Sequence, residues 1–204
     1  MYEKYEEKLI SGDGAIEAPG KRNVAYGERA GIGVSDALLI GVLLAAGAVL
    51  KFFVGSVINF GMKPNFIIAM YCLVILLIKP KVSEAAIIGL LSGAICQFFP
   101  GQPYINFASE LAGAVAMAFL VKIPAVIGHS GKRSFSVKPV LCTFFSTLAS
   151  GFSFIGVMYL MYYSGAAITP TPLAIFMAII FGTAFINSLI VQVLYVPLNL
   201  MLKK

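Results

Sequence analysis

Residues 35–57 read SDALLIGVLLAAGAVLKFFVGSV, with no charged side chain between Asp36 and Lys51. At about 1.5 Å of rise per residue, a helix over this stretch crosses about 30 Å of hydrocarbon. Five further apolar runs follow, over residues 64–78, 83–99, 106–121, 139–163 and 173–202. The second and fourth are short, which a membrane helix tolerates when its end lines a cavity rather than lipid. The pattern predicts an all-α, polytopic membrane protein: a six-transmembrane-helix bundle over residues 35–204, preceded by a cytoplasmic N-terminal tail over residues 1–34.

Composition agrees with that reading. Hydrophobic residues make up 59% of the 204-residue chain and charged residues 12%. A water-soluble domain of this size has too much surface to hide so much apolar material. Proline and glycine mark the joins: Lys79-Pro80-Lys81, Pro100-Gly101-Gln102-Pro103, the segment 128–138, and Thr169-Pro170-Thr171-Pro172. Among Lys4, Lys8, Lys21, Arg22 and Arg29 and the acids interspersed with them, no apolar stretch reads as a cleaved leader.

Orientation follows from the basic residues. With the N-terminus inside, the five basic residues of the tail are cytoplasmic. So are Lys79, Lys81, Lys122, Lys132, Arg133, Lys138, Lys203 and Lys204, which makes thirteen; only Lys51 and Lys63 fall outside. The excess of inside lysine and arginine predicts cytoplasmic N- and C-termini in a multi-pass cell-membrane protein. The net charge of +6 is thereby a topological signal, and no nucleic-acid partner is expected.

Enzymatic motifs fail. The segment Gly128-His129-Ser130-Gly131-Lys132-Arg133-Ser134 has the wrong spacing for a phosphate loop, and Gly31-Ile32-Gly33 lacks the third glycine of a dinucleotide loop. His129 is the single histidine, and Cys72, Cys96 and Cys142 lie far apart inside apolar runs, where they read as small buried hydrophobes. No metal, cofactor or catalytic residue is expected, nor an ATPase within the chain. No internal repeat supports an inverted-repeat carrier.

Polar residues inside or beside membrane runs are costly and mark function. Most of them gather on the outer half: Lys63 and Asn65 near the first outer loop, and Gln97, Gln102, Tyr104, Asn106 and Glu110 near the second. Glu110 is the one acid well inside a run, and Asn106, four residues earlier, shares its helix face. Asn187 lies in the last run. Their structural alternatives are an ion pair for Glu110, a snorkelling lysine for Lys63 and an interhelical hydrogen bond for Asn187. A cation, an anion, several amides and aromatics suit a small zwitterion with an apolar side chain: Lys63 for its carboxylate, Glu110 and Asn106 for its ammonium. On the first run Ala37, Gly41 and Ala45 form a small-residue stripe, suited to packing within the bundle or to docking another membrane subunit.

Three elements carry a resemblance to a known family: Gly61-Met62-Lys63-Pro64-Asn65-Phe66, Phe99-Pro100-Gly101-Gln102-Pro103-Tyr104-Ile105-Asn106, and Ala184-Phe185-Ile186-Asn187 with Tyr195-Val196-Pro197. Over roughly residues 36–200 the chain resembles the tryptophan transporter (TrpP-type) family of Gram-positive bacteria. It departs from the pattern at Asn65, where an acid is expected, and around Ser109-Glu110. The family looks like substrate-binding S components of energy-coupling factor (ECF) transporters. The resemblance implies a six-helix bundle, an occluded outer site for tryptophan or a related aromatic nutrient, and a partner module of one scaffold subunit and two ATPase subunits. It also implies that Ala37, Gly41 and Ala45 contact the scaffold. The alternatives are an S component for a vitamin or vitamin precursor, and a stand-alone secondary carrier.

Overall fold

The computed structural model describes residues 31–57, 65–100, 104–123, 137–168, 170 and 172–202. Lys63, Gln102 and the tail up to residue 30 lie outside the described residues. Six helices follow in order: α1 Val34–Val57, α2 Ile67–Ile78, α3 Val82–Cys96, α4 Ile105–Lys122, α5 Lys138–Tyr163 and α6 Leu173–Leu202. Among the described residues there is no strand. The chain is an all-helical membrane protein. By length and composition α1, α4, α5 and α6 can each cross a bilayer, whereas α2 and α3 have 12 and 15 residues.

The short α2 is the centre of the bundle. It packs against all five other helices, and every residue from Ile67 to Ile78 except Leu77 is buried. A helix apolar on all sides has no polar face to offer and goes to the interior. Twelve residues rise only about 18 Å, so α2 stops about 12 Å short of crossing the hydrocarbon. Its lysine end is anchored at Lys79, which adopts a left-handed backbone (φ 52°) and donates its N–H to the Ile75 carbonyl at 2.9 Å. Pro80 then blocks continuation. At the other end α2 begins at Ile67, three residues later than the apolar run predicts. Asn65 is held outside the helix by bonds from its side chain and its carbonyl.

Close approach between helices rests on glycine. A Cβ on Gly89 of α3 would lie 2.7 Å from the Glu110 carbonyl oxygen and 2.9 Å from Leu111 Cα. One turn on, a Cβ on Gly93 would meet Phe107 Cα at 2.9 Å. The α3 backbone therefore lies directly on α4, as small-xxx-small spacing permits. Gly113 of α4 makes room for the Tyr71 hydroxyl of α2. The first turn of α3 is held by the Lys81 N–H donating to the Glu84 carboxylate at 2.8 Å.

Large apolar side chains cover the outside. Leu38, Val42, Phe52 and Phe53 on α1, Phe145 and Phe152 on α5, and Phe181, Phe185, Leu189 and Val193 on α6 are all exposed. In water such a surface would aggregate. In a bilayer it is the lipid face.

Candidate functional site

Alternating helix direction brings the α1 and α3 C-terminal turns, the start of α2 and the first half of α4 to one end of the bundle. There a polar cluster is buried. Glu110 stands about one and a half turns into α4 and is 1% exposed. Its carboxylate accepts from the Asn65 Nδ2 amide and, at 3.4 Å, from the Ser150 hydroxyl of α5. Asn65 also donates to Cys96 Sγ at 3.6 Å, and its carbonyl accepts from the Asn187 Nδ2 amide of α6 at 3.2 Å. Lys51 of α1 is 8% exposed and donates to Cys96 Sγ at 3.2 Å, with its ammonium 5.1 Å from the centre of the Phe99 ring.

An acidic and a basic side chain are thus both buried, joined through Asn65 and Cys96. A charge held away from water costs several kcal/mol, which hydrogen bonds from Asn65 and Ser150 to Glu110 and from Lys51 to Cys96 offset in part. Four buried side-chain oxygens among the described residues have no hydrogen-bond partner, Thr143 Oγ1 and Gln192 Oε1 among them, and the other two lie here. Asn187 Oδ1 is buried with no donor. The Tyr71 hydroxyl, pressed against Gly113 and flanked by Ser146 and Ser150, makes no hydrogen bond of regular geometry. Below them Ser146 donates to the Gly113 carbonyl at 2.9 Å and accepts from Cys72 Sγ at 3.2 Å, which ties α2, α4 and α5 together. No three metal-ligating side chains converge among the described residues.

The expected site residues divide accordingly. Asn65, Glu110 and Asn187 meet in the cluster. Gln97 and Tyr104 form a separate exposed link, in which the Tyr104 N–H donates to Gln97 Oε1 at 3.2 Å and Gln97 Nε2 donates to the Gly93 carbonyl at 3.0 Å. Asn106 sits one turn before Glu110, partly buried, and its carbonyl accepts from the Ser109 hydroxyl at 3.3 Å. Sequence reasoning passed over Lys51, Cys96, Ser150 and Tyr71. Lys51 did carry a signal, since it breaks the inside-lysine pattern from within an apolar run. Cys96 and Ser150 carried none, being ordinary in a packed helix.

The stripe on α1 points outward. Ala37, Gly41 and Ala45 are exposed, and a Cβ on Gly41 would find nothing within 4 Å. It is not used in packing among the described helices.

Residues 35–203 match the family described as "Tryptophan transporter TrpP". The chain is similar to a Clostridium acetobutylicum protein named "Probable tryptophan transport protein", with 26% identity over 161 residues, covering 78% of this chain and 88% of the relative. No solved structure matches the chain. With the match running from the start of α1 to the end of α6, the chain belongs to the tryptophan transporter TrpP family.

Proposed function

We propose that this protein is the substrate-binding membrane subunit of an ECF-type uptake transporter and that its substrate is tryptophan. The observation that carries the reading is the burial of an acidic and a basic side chain, Glu110 and Lys51, beside the start of α2, with Asn187 Oδ1 left without a donor. A zwitterionic amino acid presents the complementary groups. Its ammonium meets Glu110, in the carboxylate-to-ammonium pairing that is strongest when desolvated. Its carboxylate meets Lys51 and the positive dipole end of α2, where the first N–H groups of a helix have no partner within the helix. Asn187 Oδ1 accepts a further N–H of the ligand. The family and the Clostridium relative supply tryptophan as the amino acid.

The subunit role rests on the sequence resemblance and on the outward stripe Ala37, Gly41 and Ala45, which suits close contact with a scaffold subunit. Two ATPase subunits would complete the transporter, with both termini of this chain cytoplasmic. Gln97, Tyr104, Asn106, Lys63 and Gln102 stay proposed as the outer rim of the site.

The chain has no tryptophan of its own, so ligand tryptophan fluoresces against a tyrosine-only background. Titration of the purified protein is expected to give saturable binding. Glu110→Gln and Lys51→Met are expected to weaken it tenfold or more, the loss of one charge-assisted contact (about 1.4 kcal/mol or more). Undiminished affinity in both variants sinks the site; equal binding of unrelated vitamins sinks the substrate. Binding without uptake in liposomes, with uptake gained on adding scaffold and ATPases, supports the subunit role. Ion-driven uptake by the isolated chain overturns it in favour of a stand-alone carrier.

A further inference from the structure

Two buried oxygens that the substrate site does not use lie deeper in the bundle: Thr143 Oγ1 of α5 and Gln192 Oε1 of α6. Neither has a hydrogen-bond partner in the protein. The polar side chains around them do. Thr147 donates to the Thr143 carbonyl at 2.8 Å and Ser188 to the Ala184 carbonyl at 2.7 Å, each bonding four residues back along its own helix. Cys72 of α2 stands beside Thr143 but donates to Ser146. The Thr143 hydroxyl makes no such bond to Pro139, four residues before it.

The two atoms share a depth and an interface. Helices α5 and α6 each supply one residue to the polar cluster, Ser150 and Asn187. Thr143 lies seven residues before Ser150, about 10 Å along α5, and Gln192 five residues beyond Asn187, about 7.5 Å along α6 in the same direction. Among the described helices α6 packs only on α2 and α5, so its buried Gln192 faces those two. Thr143 meets Cys72 on that same α2.

A buried amide oxygen and a buried hydroxyl left unpaired cost free energy, and the hydrocarbon of a bilayer supplies no partner. That cost is lifted by whatever brings donors to them. A zwitterion moving inward from Glu110 brings an ammonium group with three. The pair carries no charge, so it holds the ligand more weakly than Glu110 and Lys51 do, as release requires. We propose that Thr143 and Gln192 form an inner station on the substrate's way through the bundle, where its ammonium donates to Gln192 Oε1 and Thr143 Oγ1 once α5 and α6 part. The station rests on the reading of the chain as a tryptophan transporter subunit.

The test separates binding from uptake. Thr143→Val and Gln192→Met remove the two oxygens at nearly constant volume. In each, tryptophan affinity by fluorescence titration is expected to stay within about twofold and the melting temperature to be no lower than the parent's, while uptake by the assembled transporter falls about tenfold, the loss of one hydrogen bond to a charged group. Thr143→Ser keeps a hydroxyl and is expected to retain uptake. Thr147→Val, which deletes a hydroxyl that is already bonded, is expected to retain uptake too. Parental uptake in both Thr143→Val and Gln192→Met overturns the proposal. So does an equal loss in Thr147→Val, which would make the effect one of packing. A lowered melting temperature in Thr143→Val and Gln192→Met also overturns it, because the oxygens would then have a fixed partner such as a water. Lost affinity in those variants would place both residues in the first site and not beyond it. A parent protein that binds no tryptophan fails the substrate reading, and the station with it.

Discussion

The helices α1 and α2 look alike as sequence and differ entirely in place. Both are nearly uniform apolar stretches, yet α2 is buried on all sides while α1 leaves Leu38, Val42 and Phe53 exposed along one side. In water the difference would show as a polar stripe on the outer helix. In a bilayer the lipid is as apolar as the core, so exposure leaves no mark on hydropathy. What separates the two is length and small residues. Twelve residues cannot cross the membrane alone, and the glycines that receive α2, Gly47 of α1 and Gly113 of α4, hold no side chain where its residues enter.

The comparison breaks most sharply at glycine. Gly113→Leu is expected to destabilise the protein by about 3 kcal/mol, because the new side chain occupies the place of the Tyr71 hydroxyl and lies against Ser150. In thermal unfolding in detergent that is a fall of roughly 6–12 °C. Gly156→Leu on α5 is the matched control, since a Cβ there meets nothing within 4 Å. Equal losses in the two variants would mean that α4 does not receive Tyr71 as described.

Next comes truncation of an apolar side chain on each helix. Leu73→Ala in α2 is expected to cost about 2 kcal/mol, mainly the packing and cavity share, since little transfer from water is involved. Val42→Ala on α1, 65% exposed, is expected to stay within about 0.5 kcal/mol. A comparable drop in melting temperature for both would show that α1 uses that face to hold the bundle together.

How much of this could be read in advance differs between fold and site. Six helices were readable because membrane thickness imposes length and the joins carry Pro and Gly. That α2 is central was not, for the reason just given. Glu110 and Asn187 were readable as polar residues in apolar runs, and the structure joins them through Asn65. Both Lys51 and Lys63 break the charge rule, and Lys63 lies outside the described residues; spacing alone does not say that Lys51 turns inward. Lys51 is found in the cluster, bonded to Cys96, and no sequence pattern announces that a cysteine 45 residues away will be its partner. Likewise Gln97 and Tyr104 lie at the same end of the bundle as the site, but the Tyr104 N–H donates to Gln97 Oε1 and Gln97 Nε2 to the Gly93 carbonyl.

Asn65 sharpens the contrast at the start of α2, where an acid was the expected residue. Its amide donates to Glu110, a bond that an ionised carboxylate cannot make. Asn65→Asp would set two carboxylates side by side with Lys51 as the nearby cation, and one of them must be protonated or displaced. Tryptophan affinity is expected to fall about tenfold, with partial recovery at lower pH as a proton replaces the lost donor. Affinity equal to the parent at all pH values would show that Asn65 does not hold the Glu110 carboxylate.

The smallest expected effect is on the exposed face of α1, and it is the most informative about function. Gly41→Leu adds a side chain where nothing lies within 4 Å, so the isolated protein is expected to keep its melting temperature within about 1 °C and its tryptophan affinity. If the face docks a scaffold subunit, the same leucine stands between two helices that need small residues to approach. Uptake by the assembled transporter should then fall severely, with co-purification of the scaffold lost in parallel. Gly182→Leu on α6, equally open, tests whether any bulky outward residue has this effect. Loss of uptake with Gly41→Leu alone separates a docking face from a lipid face; full uptake in both variants leaves α1 facing lipid and removes the support it lends to a partner subunit.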